Sequence, residues 1–397
     1  MQLFFSQRPK RKRYLILDIG TETIKVLVLE KLGEKIILSA ALSEYFDSYG
    51  LANGQDSEGE IAERIINSSL QVVKKEIKKQ PENVFLALPA NLFRAKIIFQ
   101  SFRRKFVKEP IGKKEADSIR KEILLVSQKK ISDLVAEEIG ILAQDIHFVS
   151  VEIIEIKIDG YQVPNLQGYS GEDLVFRILI TFLPKDNFKN IENLARTHRF
   201  KKITLLHAGQ SLTKLHLPGI ENSIFLDIGG KETQIFLMKD GKLEKVDKFD
   251  VGAKEFSKSL SRSLGIRNIE GRELKERYSK KLLSIEVKNR IREIFAQPQR
   301  EWYENLKSKI KEINPAGLLP SNLFLAGGGS LLPEIQEILE EGEWQGFHLM
   351  YRPKVKIVYP KDCYPAIQPK EEGVLSSILN NPQYTPSLLI FYARKIF

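Results

Sequence analysis

The residues best placed to do chemistry in this chain are two aspartates, each followed by a glycine turn. Asp18 stands in Leu17-Asp18-Ile19-Gly20 and Asp227 in Leu226-Asp227-Ile228-Gly229, the same four residues about two hundred positions apart. Around each, at 14–29 and 223–243, an apolar run of strand length meets the turn and a second alternating run returns, the signature of a β-hairpin. Residues without a Cβ let backbone N–H groups come close to a phosphate. Two such hairpins facing each other can cradle a β- and γ-phosphate from opposite sides. A carboxylate at the head of each, Asp18 and Asp227, can hold Mg²⁺ directly or through water. A third glycine element, Gly327-Gly328-Gly329-Ser330 after the strand-like 322–326, brings backbone close to a flat adenine and its ribose.

Other chemistries lack their residues. There is no G-x-x-x-x-G-K-[ST] run, no G-x-G-x-x-G after a strand and no G-x-S-x-G elbow. The five histidines, His147, His198, His207, His216 and His348, show no metal-ligand spacing. The single cysteine, Cys363, excludes an internal disulfide framework and fits a reducing compartment. A chain of 397 residues, 42% hydrophobic and 28% charged, reads as globular and divided into more than one domain. Its net charge of +11 favours anionic partners such as lipid head groups, nucleic acid or an acidic protein tail. No apolar run approaches the length that spans a bilayer, and the N-terminus has the wrong order for a secretory signal, so the expected location is cytoplasmic.

The elements that must position the hairpins can be read in order. After a tip with Leu3, Phe4 and Phe5 comes a basic run through Arg11, Lys12 and Arg13, read as a solvated tail or a contact with an anionic surface. The first hairpin and a third strand at 35–42 follow. A helix at 61–79 and a strand at 83–88 complete an α/β layer. Residues 94–106 interleave basic and aromatic side chains. A half-buried strand with a basic outer face accounts for them more simply than a nucleic-acid surface, and no nucleic-acid partner is expected. A helix at 113–129 and strands at 148–158 and 174–183 make an inserted α+β module. A helix at 187–199 precedes the second hairpin. Beyond it, an amphipathic helix opens at Gly252, 270–313 is largely helical, and a helix starts at Leu332-Pro333.

The order of the three glycine motifs resembles the actin/Hsp70/sugar-kinase nucleotide-binding fold, a duplicated ribonuclease-H-like α/β architecture. The inserted module narrows the resemblance to the bacterial cell-division protein FtsA and the type IV pilus protein PilM. Asp159-Gly160-Tyr161 and Asn165-Leu166-Gln167-Gly168-Tyr169-Ser170-Gly171 resemble the segment that closes the FtsA SHS2 (1C) subdomain. The resemblance implies a basic tail at 1–13, subdomain 1A at 14–88, 174–219 and 371–397, and the SHS2/1C insertion at 89–173. It implies subdomain 2A at 220–258 and 318–370, and subdomain 2B at 259–317. It further implies ATP with Mg²⁺ as cofactors, and nucleotide contacts from Asp18, Gly20, Thr21, Thr23 and Lys25 of the first hairpin. From the second come Asp227, Gly229, Gly230 and Lys231, with Lys275 on the adenine side and Gly327, Gly328, Gly329 and Ser330 closing the set.

The functions implied are self-association into filaments and a link between an FtsZ-like division protein and the inner face of the membrane. The PilM alternative implies a grip on the N-terminal peptide of a PilN-type membrane protein. A sugar or acetate kinase is a third reading, opposed by the insertion. Two departures from the family pattern matter. Where the family continues Gly-Thr-x-Asp, this chain has Lys231-Glu232-Thr233-Gln234, which replaces a second carboxylate by Gln234 and leaves at most a weak ATPase. Lys231 could pair with a phosphate or with Glu232. Residues 387–397 are expected to be the closing 1A helix packed inside the lobe. That leaves Phe4, Phe5, Arg11, Lys12 and Arg13 as the membrane contact.

Overall fold

The computed structural model describes residues 11–33, 35–46, 66–72, 75, 81, 83–212, 214–315, 318–344, 346–349, 351–363, 367–371 and 373–393. Two compact units emerge: Met1–Pro89 with Arg199–Phe397, and the inserted Ala90–His198.

In the first unit β1 (Lys12–Ile19), β2 (Thr23–Leu32) and β3 (Lys35–Tyr45) form an antiparallel meander. β4 (Asn83–Ala87) lies parallel to β1. Leu15, Ile16, Leu17, Val26, Leu27 and Val28 are fully buried, which their continuous apolar runs demand of a sheet covered on both faces. The inserted unit carries β5 (Arg94–Arg103), α1 (Lys113–Ile139), β6 (Ile146–Ile158), β7 (Tyr161–Val163), β8 (Asp173–Pro184) and α2 (Lys185–Thr197). Its sheet runs β5-β8-β6-β7. The chain returns to the first unit through β9 (Lys202–Leu205), whose addition gives the order β3-β2-β1-β4-β9, and the short strand Ile367–Pro369 later joins beside β3 as a sixth.

The same plan is then repeated. β10 (Ser223–Ile228), β11 (Thr233–Lys239) and β12 (Lys242–Phe249) form a second meander. After α3 (Ala253–Leu264), α4 (Asn268–Ser279) and α5 (Ile285–Ile313) come β13 (Asn322–Ala326), α6 (Pro333–Glu341) and β14 (Lys354–Ile357). Their sheet order is β12-β11-β10-β13-β14. Asp18 faces Lys25 across the first hairpin and Ala87 on β4. Asp227 faces Gln234 across the second and Ala326 on β13. The duplication expected from Leu-Asp-Ile-Gly therefore extends to strand order and register. The α/β architecture read from the motifs is the one observed.

Several expectations change in detail. The first helix of the insertion runs ten residues past Lys129, because Ile131 and Val135 continue the buried stripe of Ile119 and Ile123 until Gly140 caps it at φ 68°. The charged stretch after 270 is two helices, parted at Lys280–Ser284. The basic tail ends sooner than read. Lys12 and Arg13 are the first residues of β1, and Arg11 and Arg13 both pair with the buried Glu30 of β2, the latter at 2.6 Å. A buried carboxylate costs too much to leave unpaired, so these two cations serve the sheet. Phe4, Phe5 and most of the expected 61–79 helix lie outside the described residues, although 66–72 are helical. The final helix, α7 (Thr385–Ala393), buries Ser387, Leu388, Leu389 and Phe391 completely. Phe391 packs edge-on against Tyr14 and Phe85, so α7 is core and not surface.

Candidate functional site

Both hairpin turns close with the same bond. Gly20 N–H donates to the Thr23 carbonyl at 2.9 Å, and Gly229 N–H donates to the Glu232 carbonyl at 3.0 Å. Between them lies a cleft of about 400 Å³, lined by Asp18, Gly20, Thr21, Thr23, Lys25, Asp227, Gly229, Gly230, Lys275, Gly327, Gly328 and Gly329. Most residues expected to contact a nucleotide thus share one cavity. Lys231 and Ser330 lie outside its lining. The Lys231 side chain is exposed and its backbone N–H donates to Thr21 Oγ1 at 2.9 Å. The buried Ser330 hydroxyl donates to the Gly327 carbonyl at 2.7 Å.

The two aspartates differ in their neighbours. Asp18 Oδ2 accepts from Lys25 Nζ at 3.1 Å and from the Ser387 hydroxyl, and all three residues are buried. Asp227 sits across from Gln234, and burial pushes its carboxyl up to about 7. The Lys25 charge works against that rise, while Asp18 and Glu232 add to it. Glu232 itself pairs with Lys248 of β12 at 3.2 Å. Among the described residues no group of three or more His, Cys, Asp or Glu side chains could hold a metal. Asp18 and Asp227 therefore form no cage for a bare ion. Mg²⁺ ordinarily arrives with phosphates and waters and needs only one or two carboxylates, and Asp227 is the one not engaged by Lys25 at hydrogen-bond distance.

The third element is built for close approach. Gly327 adopts φ +82°, and a Cβ there would lie 2.5 Å from the Ile228 carbonyl oxygen and 2.6 Å from Asp227 Oδ1. Only glycine lets this loop rest against the second hairpin. On the opposite wall Arg272, Lys275 and Glu276 fall at i, i+3 and i+4 of α4, hence on one face. Lys275 is spent internally: its ammonium donates to the Ala253 carbonyl at 3.0 Å, and burial lowers its pKa. Arg272 stacks on the Tyr45 ring at 3.7 Å. The Tyr45 phenol, pushed up chiefly by burial, donates to the Glu276 carboxylate. Glu22 covers Gly230, where a Cβ would meet its Cγ at 2.4 Å.

Tyr45, Glu22, Arg272, Glu276, His207 and Ser387 thus belong to the site although the motifs did not announce them. The helical spacing around Lys275 was available for Arg272 and Glu276. Nothing local marks Tyr45, which reaches the cleft only because β3 ends beside the first turn.

Duplicated hairpins around one glycine-walled cleft define an actin-like ATPase fold. The solved structure of a PilM–PilN type IV pilus biogenesis complex matches it with a TM-score of 0.63 at 16% identity, covering 96% of this chain and 98% of that one. The ethanolamine utilization protein EutJ from Carboxydothermus hydrogenoformans matches at 0.46 and 14% identity, with 98% and 91% covered. ParM of Bacillus thuringiensis with ATP matches at 0.37 and 10% identity, with 97% and 98% covered. In sequence, residues 224–388 match the family model of the cell division protein FtsA. No curated protein sequence matches the chain. The resemblance read from the motifs is therefore borne out, to FtsA in sequence over 224–388 and to PilM in fold over nearly all of the chain.

Proposed function

We propose that this chain is a nucleotide-binding adaptor of the FtsA/PilM type, working in the cytoplasm at the inner face of a membrane. The observation that carries the reading is the cleft itself: two equivalent hairpins and the Gly327 loop converge on one cavity whose walls are backbone and paired charge. ATP is the proposed ligand. The hairpin amides would take its phosphates, Lys25 would neutralise them, and Asp227 would hold Mg²⁺ brought in with them. Gly327–Gly329 and the Arg272–Glu276 face of α4 would take the base and ribose. With Gln234 where a second carboxylate is expected and Lys25 bound to Asp18, turnover is at most slow. The ion would then serve binding more than hydrolysis.

Titration with labelled ATP, with and without Mg²⁺, tests this directly. Saturable binding strengthened by Mg²⁺ is expected. No binding at millimolar nucleotide would reduce the cleft to a structural joint.

As to partners, the proposal is self-association into filaments and recruitment of an FtsZ-like division protein, supported by the FtsA family match over 224–388. The similarity to PilM over 96% of the chain favours a second reading, capture of a PilN-type peptide. Pull-down with an FtsZ C-terminal peptide against a PilN-type N-terminal peptide separates the two.

A further inference from the structure

The inserted unit has one end that its own fold leaves unsatisfied. β5 and β8 pair Arg103 with Asp173, and β6 pairs Ile158 with Leu174. The 104–112 loop, the 159–160 turn and the 164–172 loop therefore emerge together, at the end of the sheet remote from the unit's first residue. Phe106 is 65% exposed and Tyr161 79%, and Val107 and Tyr169 are also exposed. A fold that needed these side chains would have buried them, and four at one end exceed scattered surface apolars.

The loop that carries Phe106 and Val107 is itself basic. Residues 103–114 hold six basic residues and one acidic. Arg103 pairs with Glu172 at 2.6 Å. The buried Arg104 grips Glu115 at 2.7 and 3.0 Å and the Gly171 and Glu109 carbonyls at 3.1 Å. Asp159 accepts the Asp173 N–H at 2.8 Å. With those acids engaged, Lys105, Lys108, Lys113 and Lys114 are exposed and make no ion pair among the described residues. Glu109, Asp117, Asp159 and Asp173 are the exposed acids at this end, with the Asp159 carboxylate turned onto the Glu172 and Asp173 N–H groups. Arg104 holds the loop in place, so its apolar tip and lysines are presented as a fixed surface.

We propose that this end of the inserted unit docks on an anionic lipid bilayer, with Phe106 and Val107 entering the interface and the four lysines meeting head-group phosphates. Tyr161 and Tyr169 suit the boundary, being apolar in the ring and polar at the tip. A hydrophobic tip ringed by cations gains from acyl contact and from the negative surface together. Nucleic acid is the poorer occupant. Both arginines, the better phosphate forks, are held by carboxylates. The surface is distinct from the N-terminal cluster, where Arg11 and Arg13 serve Glu30.

The proposal deepens the membrane half of the function above and rests on it; it does not depend on nucleotide binding. The test uses the full chain and vesicles of phosphatidylglycerol with phosphatidylethanolamine, against phosphatidylcholine alone. Three variants are compared: Phe106→Ser with Val107→Ser; Lys105, Lys108, Lys113 and Lys114→Gln together; and Phe106→Trp. Because the altered positions are exposed, melting curves should stay close to the parent's. Salt-sensitive sedimentation with anionic vesicles is expected, falling by about tenfold or more in each of the first two variants. The native Trp302 and Trp344 are buried, so a blue shift in the Phe106→Trp variant reports position 106 entering the interface. If the parent binds anionic vesicles, undiminished binding in both loop variants, with the fluorescence of the Phe106→Trp variant unshifted, overturns this surface and leaves the membrane reading standing. If the parent binds no vesicle, both fall. Vesicle binding abolished by equimolar single-stranded DNA or an acidic peptide assigns the end to that partner and also overturns the proposal.

Discussion

At the scale of single residues, Asp18 and Asp227 occupy equivalent places with opposite surroundings. The residue seven positions on is Lys25 in the first case and Gln234 in the second, so one carboxylate is neutralised within its own hairpin and the other is left to burial. That difference was legible from the sequence, because strand register turns fixed spacing into facing pairs. What could not be read was where Lys275 ends, since Ala253 is twenty-two positions away and only packing brings it near. His207 is a similar case. It lines the cleft, Nδ1 accepts from Gly209 N–H at 3.2 Å, and burial pushes it down to about 4 from 6.5. Between those values the unfolded chain binds a proton that the native state refuses. Stability should therefore fall as pH drops from 6.5 towards 4, by about 1.4 kcal/mol per pH unit at most. Urea midpoints at pH 7 and pH 5 should differ more for the parent than for His207→Gln. Equal differences would mean that His207 titrates normally.

At the scale of elements, most strands and helices announce themselves through apolar period and glycine or proline boundaries. The errors come where polarity interrupts a stripe, as at Gln128-Lys129-Lys130 within α1. The β13–loop–α6 element shows what a glycine run does and does not reveal. The sequence marks a turn, but the collision that makes Gly327 obligatory involves Ile228 and Asp227, about a hundred residues earlier. Gly327→Ala should cost more than the roughly 1 kcal/mol of left-handed strain alone, since the new methyl meets backbone. It should also weaken nucleotide binding. Gly241→Ala is the matched control, with φ +71° and nothing within 4 Å. Equal thermal destabilisation of the two variants would show that the loop can shift and that the close approach is not required.

At the scale of the whole first unit, the duplication was visible because four identical residues recur, yet the two halves meet through residues with no repeat counterpart. Thr21 Oγ1 accepts from Lys231 N–H, Glu22 lies on Gly230, and Tyr45 reaches Arg272 and Glu276. Each joins the first half of the fold to the second at the cleft, so parting the two halves would break them. In the Tyr45–Arg272 stack the guanidinium carbon lies 3.7 Å from the ring centroid, and a desolvated cation–π pair is worth up to about 2 kcal/mol. Tyr45→Ala should therefore speed release of a fluorescent ATP analogue by on the order of tenfold. Tyr45→Phe keeps the stack, loses only the bond to Glu276, and should fall between. The discriminating quantity is the dissociation rate in a stopped-flow chase. A Tyr45→Ala rate equal to the parent's would mean that the cleft opens elsewhere, with the hairpin contact between Thr21 and Lys231 as its remaining latch.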